Sequence, residues 1–193
     1  MTPWTLIVPV KGTPQAKSRL GDQRVGLALA IALDTVGAAR AANGVRELLV
    51  VTTGAVAASF EALGARVVLD SDGGLAAAID AGLALADGGI GSAVLLGDVP
   101  ALRPEELASA LAAAAGHPLS FVADAEGTGT VLVAAGPGHP HRLAFGPGSA
   151  AAHRGNGYVE LVGDWPGLRR DVDLPEHLHA LELGPRTAAY LAG

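Results

Sequence analysis

The stretch AVLLGDVPALRPEELASALAAAA, residues 93–115, holds one complete strand, turn and helix. Ala93–Leu96 is a short apolar run, and Gly97-Asp98-Val99-Pro100 ends it with residues that favour a turn. Pro104-Glu105-Glu106 then opens a helix over Pro104–Ala115. Proline needs no N–H at the first helical position, and the two acids complement the positive end of the helix dipole. The same unit recurs upstream: Thr5–Val10 precedes a helix over Gln23–Ala42, Glu47–Thr52 precedes Val56–Leu63, and Arg66–Leu69 precedes Leu75–Ala86. Downstream the chain is richer in strands, with Ser120–Ala123, Thr130–Ala134 and Val159–Leu161, a short helix from about Ser149, and a helical tail. Such alternation implies an α/β fold: a mostly parallel central sheet with helices on both faces. Glycine and proline cluster at Gly136–Pro140 and Gly146–Gly148, which read as loops within a single domain spanning residues 1–193.

Composition narrows the function. A chain of 193 residues is long enough to bury a core, and 50% of it is hydrophobic while only 4% is aromatic, so alanine-rich helices supply much of the apolar count. Apolar stretches such as Val25–Leu33 and Leu107–Ala115 are too short for a bilayer span. Trp4–Val10 reads as an opening strand rather than a secretory leader. A formal charge of −6 argues against a surface that coats nucleic acid, while leaving room for a local cationic cluster that binds a small anion. The absence of cysteine excludes disulfides and thiolate metal sites and accords with the cytoplasm. The expectation is a cytoplasmic protein with no membrane and no nucleic-acid partner.

Ligands of such sheets gather beyond the carboxyl ends of the strands, so polar residues just after strands come first. The segment PVKGTPQAKSRL, residues 9–20, carries both lysines of the chain, Lys11 and Lys17, with Gly12 and Arg19 beside them. It suits a triphosphate cradle or an ordinary charged loop; the GxxxxGK[ST] spacing of a Walker A loop is missing. Asp98 suits either a turn cap or a Mg²⁺ ligand. In RRDVDLPEHL, residues 169–178, Asp171 and Asp173 project to one side of an extended backbone, where a cation would relieve their repulsion. Together with Asp98 they make a three-aspartate Mg²⁺ site the better account. Thr128 and Thr130 lie in the small-residue loop GTGT, and Ser149 follows Gly146-Pro147-Gly148 as a natural N-cap with free N–H groups nearby. The pairs His139/His141 and His177/His179 read as exposed loop histidines rather than zinc ligands.

The order PVKGTPQAKSRL, GDVP, EGTGTVLV, FGPGSAAAH, RRDVDLPEHL resembles the guanylyltransferases of deazaflavin coenzyme F-420 biosynthesis over nearly the whole chain. That family is similar in fold to molybdenum-cofactor nucleotidyltransferases, which implies a Rossmann-like nucleotidyltransferase domain. The resemblance implies transfer of GMP from GTP to a three-carbon phospho-acid, phosphoenolpyruvate in bacteria or 2-phospho-L-lactate in archaea. An alanine- and arginine-rich, lysine-poor composition points to a GC-rich bacterial genome, hence to phosphoenolpyruvate. By matching motif, Asp98, Asp171 and Asp173 would bind Mg²⁺, and Thr130, Gly146 and Ser149 would hold the acid. Lys11, Gly12, Lys17 and Arg19 would handle phosphates, with Lys17 and Asp98 in the catalytic roles and Gly74 beside the base. One departure stands out: where the family carries a GLN-type turn, Gly74-Leu75 is followed here by Ala76, so no side-chain amide reads guanine at that position. A homodimer also fits the resemblance. Competing readings are nucleotidyl transfer to a molybdopterin or sugar phosphate, a glycosyltransferase using Asp171-Val172-Asp173, and a non-catalytic nucleotide-binding module.

Overall fold

A computed structural model of the protein describes residues 2–10, 19–70, 73–171 and 182–192. Seven strands form one sheet: β1 (Trp4–Pro9), β2 (Val45–Thr52), β3 (Arg66–Leu69), β4 (Gly91–Leu95), β5 (Leu119–Ala123), β6 (Thr130–Ala135) and β7 (Val159–Glu160). Their order is β3-β2-β1-β4-β6-β5-β7. The first four strands are mutually parallel, β6 runs against both β4 and β5, and β7 pairs in parallel with β5. Among the described residues there are six helices: α1 (Arg19–Ala41), α2 (Ala57–Glu61), α3 (Gly74–Leu83), α4 (Pro104–Ala114), α5 (Ser149–Gly155) and α6 (Pro185–Ala192). None of these described helices is long and apolar enough to cross a membrane.

The continuous apolar run of β1 is explained by burial on both faces. Leu6 and Val8 point into a core shared with α1, α2 and α4, while Ile7 joins Leu49, Val51 and Ile79 beneath α3 on the opposite face. A third core lies under α5, where Phe121, Ala123 and Val133 meet Ala150 and Tyr158.

Two buried carboxylates hold distant segments in place. Asp34 of α1 accepts the N–H groups of Arg186 (3.1 Å) and Thr187 (2.7 Å), so a residue 152 positions away caps α6. Glu106 does more than complement the α4 dipole. Its carboxylate accepts from the backbone of Gly167 (3.3 Å) and Leu168 (2.7 Å), pinning the segment that leads toward Asp171.

Candidate active site

The carboxyl edge of the sheet collects the polar ends of β1, β2, β3, β4, β5 and β7 together with the start of β6, because β6 alone runs the other way. The β4–β6 register pairs Leu95 with Leu132 and continues through a Leu96 N–H to Val131 carbonyl bond of 3.0 Å. Gly97 and Asp98 are thereby brought alongside Thr130, the first residue of β6. The turn is fixed from below: buried Thr35 of α1 donates its hydroxyl to the Ile31 carbonyl (3.0 Å) and accepts the Val99 N–H (3.1 Å). Gly97 lets this turn approach β1 closely, since a Cβ there would lie 3.0 Å from the Pro9 carbonyl oxygen.

On the other side of Thr130, the β5–β6 loop is folded around Asp124. This buried carboxylate accepts the N–H groups of Thr128 (2.9 Å) and Gly129 (2.6 Å). Side chains also fasten the chain downstream. Arg169 donates to the carbonyls of Ala123 (3.1 Å) and Asp124 (2.8 Å) at the end of β5. Half-buried Asp171, two residues further on, is thus delivered to the same edge as Asp98.

Helix α5 packs against the same β5–β6 loop. Ser149 is 3% exposed, and the Ala150 N–H donates to the Thr128 carbonyl (3.1 Å), which seats the helix on the GTGT loop. Two expectations are corrected here. The cap position belongs to Gly148, at φ 71°, and the Ser149 side chain makes no capping hydrogen bond; the αL backbone that turns the chain into the helix suits glycine. The N–H groups of Ser149 and Ala150 are also occupied, by the carbonyls of Gly146 (3.0 Å) and Thr128. Any contribution of Ser149 to a ligand is therefore through its hydroxyl.

His153, one turn beyond Ser149, is fully buried. Its Nδ1 lies 3.0 Å from Thr130 Oγ1, and its Nε2 accepts the Ala144 N–H at 3.0 Å. Burial pushes its pKa below the usual histidine value. The sequence reading passed over His153, Asp124, Arg169 and Thr35. His153 could have been found from its spacing, four residues after Ser149 on the same helical face. Asp124 could have been found from its place directly after an apolar strand, as for Asp98.

Asp98, Thr130, Gly146, Ser149 and Asp171 therefore belong to one edge, and Gly74 opens α3 after β3 at φ 82°. Lys11, Gly12, Lys17 and Asp173 lie outside the described residues, as do His177, His179 and the side chain of Arg19. Among the described residues no three His, Cys, Asp or Glu side chains form a group that could hold a metal ion.

A cleft of about 760 Å³ lies between α3 and residues 136–145, and Asp98, Thr130 and Ser149 do not line it. One end begins at Leu75 and Ala76, beside Gly74; the other reaches Ser92 and His141. The exposed-histidine expectation holds for His139 and fails for His141. The His141 ring bridges Ser92 Oγ (3.1 Å) and the Tyr158 hydroxyl (3.2 Å), and burial lowers its pKa to about 4.

Residues 29–190 match the family model of the MobA-like NTP transferase domain. The chain is 50% identical to the phosphoenolpyruvate guanylyltransferase of Thermomonospora curvata, covering 98% of this chain and 89% of that protein. It is 51% identical to the enzyme of the same name from Streptomyces scabiei, covering 98% and 96%. Among solved structures it is similar to 4-diphosphocytidyl-2C-methyl-D-erythritol synthase, with a TM-score of 0.61, 16% identity and coverage of 93% and 97%. Rv0371c of Mycobacterium tuberculosis, solved in complex with manganese, aligns with a TM-score of 0.62 at 22% identity over 93% and 97% of the two chains. These last two likenesses are of fold.

Proposed function

The chain belongs to the MobA-like NTP transferase family, and we propose that it transfers GMP from GTP to phosphoenolpyruvate, yielding enolpyruvoyl-2-diphospho-5'-guanosine and pyrophosphate for coenzyme F-420 biosynthesis. The observation that carries this reading is about half identity, across almost the whole chain, to enzymes of that name. The site accords with it. An acceptor phosphate is ionised near neutral pH, so its oxygen can attack the α-phosphorus of GTP without a general base. A new Pα–O bond forms, the Pα–O bond to the β-phosphate breaks, and pyrophosphate leaves with the electron pair. The protein's part is to position two polyanions and offset their repulsion.

The residues fit Mg²⁺. Asp98 follows β4, Asp171 follows the segment that Arg169 clamps to the end of β5, and this ion favours one or two carboxylates alongside substrate phosphates. Asp98, Asp171 and Asp173 would hold it. Bound there, the metal supplies charge neutralisation to the reacting phosphates. Lys11, Gly12, Lys17 and Arg19 serve the triphosphate, with Lys17 toward the departing pyrophosphate, and Gly74 lies toward the base. Thr130, Gly146 and Ser149 take the acid. The reading includes a single nucleotidyltransferase domain in a cytoplasmic homodimer, the latter checked by sedimentation.

The test is pyrophosphate release with GTP, ATP and CTP crossed against phosphoenolpyruvate, 2-phospho-L-lactate and 3-phosphoglycerate. Turnover with GTP and phosphoenolpyruvate at a rate well above every other pair is expected. Preference for phospholactate moves the acceptor assignment, and turnover with none of the acids sinks it.

A further inference from the structure

We propose that His153 is the positioning residue of the acceptor side, holding the Thr130 hydroxyl so that its proton is directed at an oxygen of the acceptor acid. This rests on the phosphoenolpyruvate reading above. The argument is one of donors and acceptors. The Ala144 N–H can only donate, so Nε2, 3.0 Å away, must accept. A ring with an accepting nitrogen is neutral and carries its proton on the other nitrogen, so these partners fix the Nδ1–H tautomer. Burial, which disfavours the cation, agrees.

Nδ1–H faces Thr130 Oγ1 at 3.0 Å. A protonated Nδ1 has no lone pair to offer. Thr130 Oγ1 must therefore accept from the ring, and its own O–H is left for another partner. Among the described residues that hydroxyl makes no other hydrogen bond, although Thr130 is only 4% exposed. It sits at the start of β6 beside the Asp98 turn, where an anionic acceptor has to lie if it is to reach the metal-binding edge. The same ring touches Ala144, two residues before Gly146, and lies one turn from Ser149. One imidazole thus ties together the three positions expected to hold the acid.

The ring cannot swivel freely. Phe121, Phe145 and Tyr158 surround it at centroid distances of 5.7, 5.4 and 5.2 Å. A half-turn would also exchange nitrogens for carbons and break both hydrogen bonds.

The experiment has two arms. In the kinetic arm, Thr130→Val, His153→Phe and the double variant are compared by steady-state kinetics in both substrates, using whichever phospho-acid supports wild-type turnover. Each single change is expected to raise KM for the acid about tenfold or more, the loss typical of one charge-assisted hydrogen bond, with KM for GTP within about twofold. In the double variant the second change should add nothing, because both remove one donor. His153→Gln, which keeps a neutral donor and acceptor, should recover most of the affinity. Multiplying effects, or equal rises in both KM values, overturn the proposal.

The second arm reads the His153 ring nitrogens by ¹⁵N NMR in the wild-type protein. Nδ1–H with a bare Nε2 is expected, and an Nε2–H or doubly protonated ring overturns the proposal even if His153→Phe fails to fold. If no phospho-acid supports turnover, the function reading fails by itself and the ring measurement still decides the hydrogen-bond arrangement.

Discussion

Along the carboxyl edge, the parallel half of the sheet and the half containing β6 are held in different ways. In the parallel half, the strand ends described here are fastened largely through backbone: Val10 N–H to the Val51 carbonyl, Asp70 N–H to the Thr52 carbonyl, and Val99 N–H to a helix hydroxyl. In the other half, charged and aromatic side chains set the loops. Asp124 folds residues 128–129, Arg169 clamps the end of β5, and His153 ties β6 to the segment before Gly146. Backbone pairing tolerates many sequences, whereas side-chain wiring specifies one loop shape before any ligand arrives. Such preorganisation lowers the ordering cost of binding a small acid that offers few contacts.

The largest effect is expected at the boundary of the two halves. Asp98→Asn should lower kcat on the order of 10²–10³-fold, the scale for losing one preorganised electrostatic element, with the fold intact by thermal melt. Wild-type turnover at limiting Mg²⁺ would place the chemistry elsewhere.

The next is an acid-sensitive joint, since His141 links Ser92 of β4 to Tyr158 behind β7. Its pKa is about 4 in the folded protein against 6.5 when exposed, so between these values the unfolded chain binds more protons. Stability is therefore full above about pH 6.5 and falls as pH drops toward 4, by on the order of 3 kcal/mol. His153, lowered by burial too, acts in the same direction. Denaturant unfolding of wild type and His141→Phe from pH 7.5 to 4.5 checks this, and an equally steep loss in the variant would contradict it.

Asp124→Asn sharpens the contrast further. The amide can accept from one N–H but turns its own donor toward the other, which should cost about 1–3 kcal/mol of stability and raise KM for the acid about tenfold. GTP kinetics should hardly change; an equal rise in both KM values would mean that the halves are not independent. The smallest effect belongs to Ser149→Ala. With no cap to lose, stability should stay within about 0.5 kcal/mol of wild type. A rise of roughly three- to tenfold in KM for the acid is still expected, from one lost hydroxyl hydrogen bond. A larger drop in the melt than in acid binding would restore a capping role.

The same contrast explains what could be read in the sequence. All seven strands were legible, Arg66–Leu69 with its bounds unchanged, because apolar runs and turn residues are local signals. The place of Asp98 just past β4 was legible since it follows such a run. Asp124 follows one as well, but its work depends on Gly129 leaving room for N–H groups to converge on a carboxylate, which a Cβ there would strike, and on the positive φ of Gly127. His141, next to Pro140, had every local mark of a surface loop. Its burial comes from partners 49 and 17 residues away, which no local pattern reports.

The reversal of β6 carries a consequence for how the protein could change over time. Were β6 parallel to its neighbours, Thr130 would begin at the far edge, roughly 17 Å from Asp98 for a strand of this length. Running backwards, the strand begins at the same edge as Asp98 and leaves the connection from β5, residues 124–129, at that edge too. A hairpin tip can lengthen, shorten or exchange residues without shifting either strand in register. Selection, or a protein engineer, can thus rewrite this one connection while the four parallel strands are inherited unchanged.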